Sequence, residues 1–245
     1  MITMERGELY IELENFMKQA YALQEICKDT LQQCYGSEEI TLPVDIEKVV
    51  HSLGIELEPT DLNFGADDGI DLNIAWLRYE EDGTATISVS TEEDADSTKP
   101  YSDLQKYAIA YELGKLIIGK EDDQTGSKMQ PDEIKKWNMK SVPYSLPRLY
   151  ARCDSFAYEM CAIFLLLPLD LFLDEFLSYI GDAKEHPVMM DRWIRHLSEK
   201  AGIPNYQLIN GYQYIKFCAY QYYQEKYNIS AADKIEGTDY RDLYR

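Results

Sequence analysis

The sequence predicts an α+β protein that is mostly helical and carries one small antiparallel sheet. Three observations point there. Apolar residues recur at helical spacing at both ends of the 245-residue chain. Between them, residues 55–90 hold the segments with the two-residue alternation of strands. No series of alternating strands and helices follows, which excludes a doubly wound parallel sheet.

The elements follow in order. Residues 4–34 read as one long helix, because Leu9, Phe16, Ala20, Leu23, Cys27 and Leu31 fall on one face, and Gly36 stops it. Pro43 opens a short helix with Val44, Ile46, Val49, Val50 and Leu53 apolar, and Gly54 closes it. "IELEP" then alternates as a strand. "NIAWLRYEEDGTATISVS" reads as a hairpin around Asp82-Gly83, a two-residue turn signal. The acidic loop "DLNFGADDGIDL" before it lacks the regular spacing of a calcium loop and reads as solvated. A helix begins at Ser102 or Asp103 and is expected to end at Gly119. Residues 120–147 are polar and too long for an ordinary connection, as a flap or insertion would be. Helices are then expected over 148–167, 169–180, 188–202 and 205–227, broken at Pro168, Pro187 and Pro204, before a tail.

Composition narrows the function classes. The net charge of −20 repels phosphate backbones, which argues against direct nucleic-acid binding; it serves solubility or, in the other reading, attracts a basic partner. Five cysteines without a C-x-x-C pair fit reduced thiols in a cytoplasm. "MITMERGELYIELENF" is charged from residue 5, unlike a signal peptide, and "MCAIFLLLPLDLF" is too short to span a bilayer. These features lead us to expect a cytoplasmic protein that does not engage membranes.

The chemistry turns on "YAIAYELGKLI", residues 107–117. In the H-E-x-x-H pattern two histidines one helical turn apart grip zinc, and the glutamate takes a proton from the metal-bound water. Here Tyr111 and Lys115 stand at the ligand positions and Glu112 at that of the general base. A neutral phenol is a poor zinc ligand, and an ammonium has no lone pair and repels a cation. His51, His186 and His196 are dispersed and form no alternative pair. Residues 42–217 resemble the ImmA/IrrE family of metallopeptidase-like proteins through three blocks in order. These are "LPVDIEKVVHSLGIELEP", "LQKYAIAYELGKLII", similar to the family's zinc helix, and "ARCDSFAYEMCAIFLLLP" with the "WIRHLSEKAGIPNYQLINGYQYI" that follows.

The resemblance implies a zincin-like helix beside the small sheet. It divides the chain into an N-terminal helix (1–36), a metallopeptidase-like domain (37–168), a helical C-terminal part (169–230) and a tail (231–245). It also implies a third ligand, a glutamate, that this chain does not supply in register. Aligning on Phe156-Ala157 puts Arg152 there, and aligning on Leu165–Pro168 puts Ala157 there. Asp154 and Glu159 lie close by as possible polar partners. One expectation is therefore a charge substitution, with Lys115 placing its ammonium where the metal would be, paired with Glu112, Asp154 or Glu159. Glu112 is then a vestigial base, no cofactor is required, and the chain is a pseudoenzyme that binds a protein. By the family's role, that protein would be a basic DNA-binding repressor of a mobile element. The alternative is an active zinc peptidase with a rearranged site. Tyr206, Tyr212, Tyr214, Tyr220, Tyr222, Tyr223 and Tyr227 make the last helix tyrosine-rich. Core packing explains them, and a homodimer contact is the other reading.

Overall fold

The computed structural model describes residues 6–60, 74–79, 84–90, 101–124, 153–173, 175 and 188–226. The acidic 61–73 loop, the Asp82-Gly83 turn, most of the 120–147 stretch, the tail with Tyr227, and the side chains of Asp154, Tyr220 and Tyr223 lie outside them.

The first helix, α1 (Arg6–Tyr35), buries Met17, Ala20, Leu23, Cys27 and Leu31 along one face, as their spacing predicts. Two contacts tie it to the C-terminal half. The Cys27 thiol donates to the Cys161 carbonyl at 3.7 Å, and the Tyr21 hydroxyl donates to Glu225 at 2.5 Å. Helix α2 (Ile46–Ser52) is capped by the Asp45 carboxylate, which accepts the Lys48 N–H at 3.1 Å. Gly54 follows at φ +73°, a left-handed turn that a side chain would strain, and delivers the chain to the first strand.

Strands β1 (Glu56–Thr60), β2 (Ala75–Tyr79) and β3 (Ala85–Ser90) form one sheet in the order β1-β3-β2. The expected hairpin is present, with β2 antiparallel to β3. The sheet as a whole is mixed rather than antiparallel, because β1 pairs parallel to β3 with Leu57 opposite Ile87. The hairpin folds back so that its second arm, not its first, meets β1. Central β3 is buried from Ala85 to Val89 on both faces. Ile87 and Val89 join Leu77 in the core, and Thr86 and Ser88 occupy the opposite face.

Helix α3 (Asp103–Gln124) starts with a reciprocal cap. The Gln105 N–H donates to the Ser102 hydroxyl at 3.3 Å, and the Ser102 N–H donates to the Gln105 side chain at 2.7 Å. It runs past Gly119, where the sequence suggested an end, because an interior glycine costs only about 1 kcal/mol. Helix α4 (Cys153–Leu166) is buried from Met160 onward and stops before Pro168. Where a helix is expected from residue 169, the chain first makes a 3-10 turn over Leu169–Leu171 and is helical again at Leu173 and Glu175, with 174 and 176–180 outside the described residues. The Leu171 N–H closes onto the Pro168 carbonyl at 3.1 Å, and Phe172 leaves helical geometry at φ −138°. Helices α5 (Val188–Ala201) and α6 (Asn205–Lys226) flank Pro204 as expected.

One apolar cluster runs through the elements from Ala20 on α1 to Ala219 on α6. Tyr212 and Ala219 face into it, in keeping with the packing reading of the last helix, whereas Tyr206 is 44% exposed. Among the described residues no helix is long and apolar enough to cross a membrane.

Candidate functional site

The degenerate motif lies midway along α3, where that helix packs against α4 and the sheet. The crossing with α4 is close at Gly114. A Cβ there would sit 2.8 Å from the Cys161 Cβ and 3.3 Å from the Tyr158 carbonyl oxygen. That approach seats the Tyr111–Lys115 turn against both neighbours and removes most of it from water.

Glu112 is 5% exposed, and both of its carboxylate oxygens are engaged. Oε1 accepts from Lys115 Nζ at 2.6 Å, and Oε2 accepts the backbone N–H of Leu77 at 3.0 Å. Leu77 belongs to β2, an edge strand, so this N–H points away from the ladder and needs an acceptor from another element. A buried carboxylate is tolerated only when it is paired and hydrogen-bonded, and here it is both. Lys115 keeps 24% of its side chain exposed, so its stem is packed and its ammonium reaches the pair. The ammonium also lies 5.1 Å from the centre of the Tyr111 ring, within cation–π range. Tyr111 in turn meets Tyr158 edge-on at 5.7 Å.

Of the residues singled out in the sequence, the fold thus brings Tyr111, Glu112 and Lys115 into one cluster. It places Glu159 elsewhere. Glu159 lies on α4 one turn from Phe156, whose ring meets Tyr214 of α6 at 4.7 Å. One turn further along α4, Ile163 touches Gly211 of α6. Glu159 therefore sits in the α4–α6 seam, and among the described residues it forms no ion pair. Burial pushes its carboxyl up to about 7, and burial together with the charge of Glu159 raises the Tyr214 phenol. His51 is exposed on α2, and His196 bonds Glu175 at 2.7 Å on the surface.

The residues present at the motif do not fit a zinc ion. The position of one ligand holds an ammonium, and the glutamate that would activate water is bound by that ammonium and by a backbone donor. What the arrangement can do is structural. It neutralises a buried carboxylate and fastens the edge of the sheet to α3. Sequence reasoning anticipated the Lys115–Glu112 pairing and missed the Leu77 N–H, which lies 35 residues away. The available signal was indirect: a small sheet must leave edge donors for some side chain to satisfy.

A scan against protein-family models and a search of curated proteins each match nothing.

Proposed function

We propose that this chain is a catalytically silent metallopeptidase-like protein that acts by binding a basic protein partner. In the form the ImmA/IrrE resemblance implies, the partner is a DNA-binding repressor of a mobile element, held without being cut. The observation that carries this reading is the double occupation of Glu112 by Lys115 Nζ and the Leu77 N–H. A carboxylate so engaged is held in a structural pair, and an ammonium beside it disfavours the metal cation that would activate a water. The net charge of −20 supports the choice of partner, because it accelerates encounter with a basic surface and opposes contact with nucleic acid itself.

The test is direct. Protein purified without chelator should carry far less than one equivalent of zinc by elemental analysis. A partner captured from the native host should be recovered at full length. One tightly bound zinc per chain, with cleavage of the partner abolished by Glu112→Gln, would overturn the reading.

A further inference from the structure

A groove of about 280 Å³ opens where the C-terminal end of α1 meets the turn after α4. Leu31, Ile40, Pro168 and Leu171 give it an apolar lining. Its polar wall is acidic, made by Glu38, Glu39 and Asp170, with Lys28 the single basic residue among the described lining. Lys28 is engaged within the wall: its ammonium lies 3.9 Å from Asp170 and 4.9 Å from the centre of the Tyr222 ring. Glu38 pairs with Lys48 at 2.6 Å, whereas Glu39 is exposed and forms no ion pair among the described residues.

An apolar trough with one acid, Glu39, that no described cation neutralises matches a long side chain with a methylene stem and a cationic head. We propose that this groove docks an arginine or lysine side chain of the basic partner. The stem would lie on Leu31, Ile40 and Leu171, and the charged head would be held by Glu39 and Glu38. The inference rests on the reading of a basic protein partner and adds where that partner is gripped. The site is separate from the Glu112 cluster.

The probe is the peptide acetyl-Gly-Arg-Gly-Arg-Gly-amide, titrated into the full chain by calorimetry. The same peptide with citrulline at both arginines keeps the shape and removes the charge. The arginine peptide should bind and the citrulline peptide should not. Glu39→Gln, and Glu39→Gln with Glu38→Gln, should weaken binding by about tenfold or more, the loss expected for a charge-assisted hydrogen bond. Glu199→Gln, exposed on α5, changes the net charge by the same amount as Glu39→Gln and should leave affinity unchanged. Failure of the arginine peptide to bind would overturn the groove. So would equal sensitivity to Glu39→Gln and Glu199→Gln, which would mean the general field alone attracts the peptide, and the reading of a basic partner would still stand. Self-association of the chain that Glu39→Gln abolishes would make a second copy the occupant and overturn the assignment to another protein. The zinc and cleavage measurements bear only on the catalytic reading, so the two can fail separately.

Discussion

The chemistry of Glu112 is set by its surroundings. Between two imidazoles it would face a metal-bound water, whereas here it is a buried anion joined to Lys115 and to the edge of β2. Removing the cation alone should therefore be severe. Lys115→Met leaves the carboxylate buried without its counter-charge and should lower the unfolding free energy by about 3 kcal/mol, read from urea denaturation. Glu112→Gln keeps an oxygen for the Leu77 N–H and frees Lys115 to reach solvent, so it should cost less, about 1–2 kcal/mol. Equal stability of wild type and Lys115→Met would rule out the pair. Glu159 makes the opposite case, a carboxyl in a seam where no cation among the described residues pairs with it. In the folded chain it titrates near 7, above its ordinary 4.5, so between those values the folded state holds a proton that the unfolded state has lost. Stability should be highest below the ordinary value, fall as pH rises through about 7, and then level, by roughly 3 kcal/mol in all. Glu159→Gln should flatten that slope, and a slope unchanged by the substitution would show that other groups produce it.

At the scale of elements, the α3–α4 crossing decides whether the cluster exists at all. Gly114→Ala would set a Cβ against the Cys161 Cβ, an atom fixed to its own backbone, with the Tyr158 carbonyl beside it. The helices would have to part, and we expect a loss of about 1–3 kcal/mol. Gly211→Ala on α6 meets an even shorter contact, 2.5 Å, but with the Cδ1 of Ile163, the free end of a side chain that can change rotamer. Thermal denaturation of the two variants should therefore rank Gly114→Ala as the more damaging, against the order of the raw distances. These elements also mark the boundary of what the sequence discloses. The helices were legible because their apolar residues repeat locally, as in α1 and α5, and because Ser102, Gly54 and Pro168 punctuate them. The hairpin was legible through its alternation. The parallel pairing of β1 with β3 was not, since it joins Leu57 to Ile87 across 30 residues and leaves no local pattern. The 3-10 turn at Leu169–Leu171 went unread for the related reason that apolar residues in a tight turn look like a buried helix. At the site, Lys115 and Glu112 are neighbours on one helix, so their pairing could be read, whereas the acceptor role toward Leu77 depends on tertiary contact.

For the whole molecule the dominant fact is charge. The chain carries 44 acidic and 24 Lys or Arg residues, so even complete pairing would leave 20 acids without a basic partner. The described pairs are mostly surface contacts such as Lys48–Glu38 and Lys200–Glu175, which contribute little individually. Folding gathers that excess into a smaller volume and works against its own repulsion. Raising the ionic strength from about 0.01 M to about 0.1 M shortens the screening length from about 30 Å to about 10 Å and should relieve part of that repulsion. Each 1 kcal/mol relieved should raise the melting temperature by roughly 2–4 °C for a chain of this size, measurable by scanning calorimetry. The same salt should weaken and slow capture of a basic partner, because screening removes the steering field. Stability and partner binding should therefore move in opposite directions over one salt titration. A chain that melts lower in salt, or a partner bound equally well across the range, would show that the excess charge sets neither property.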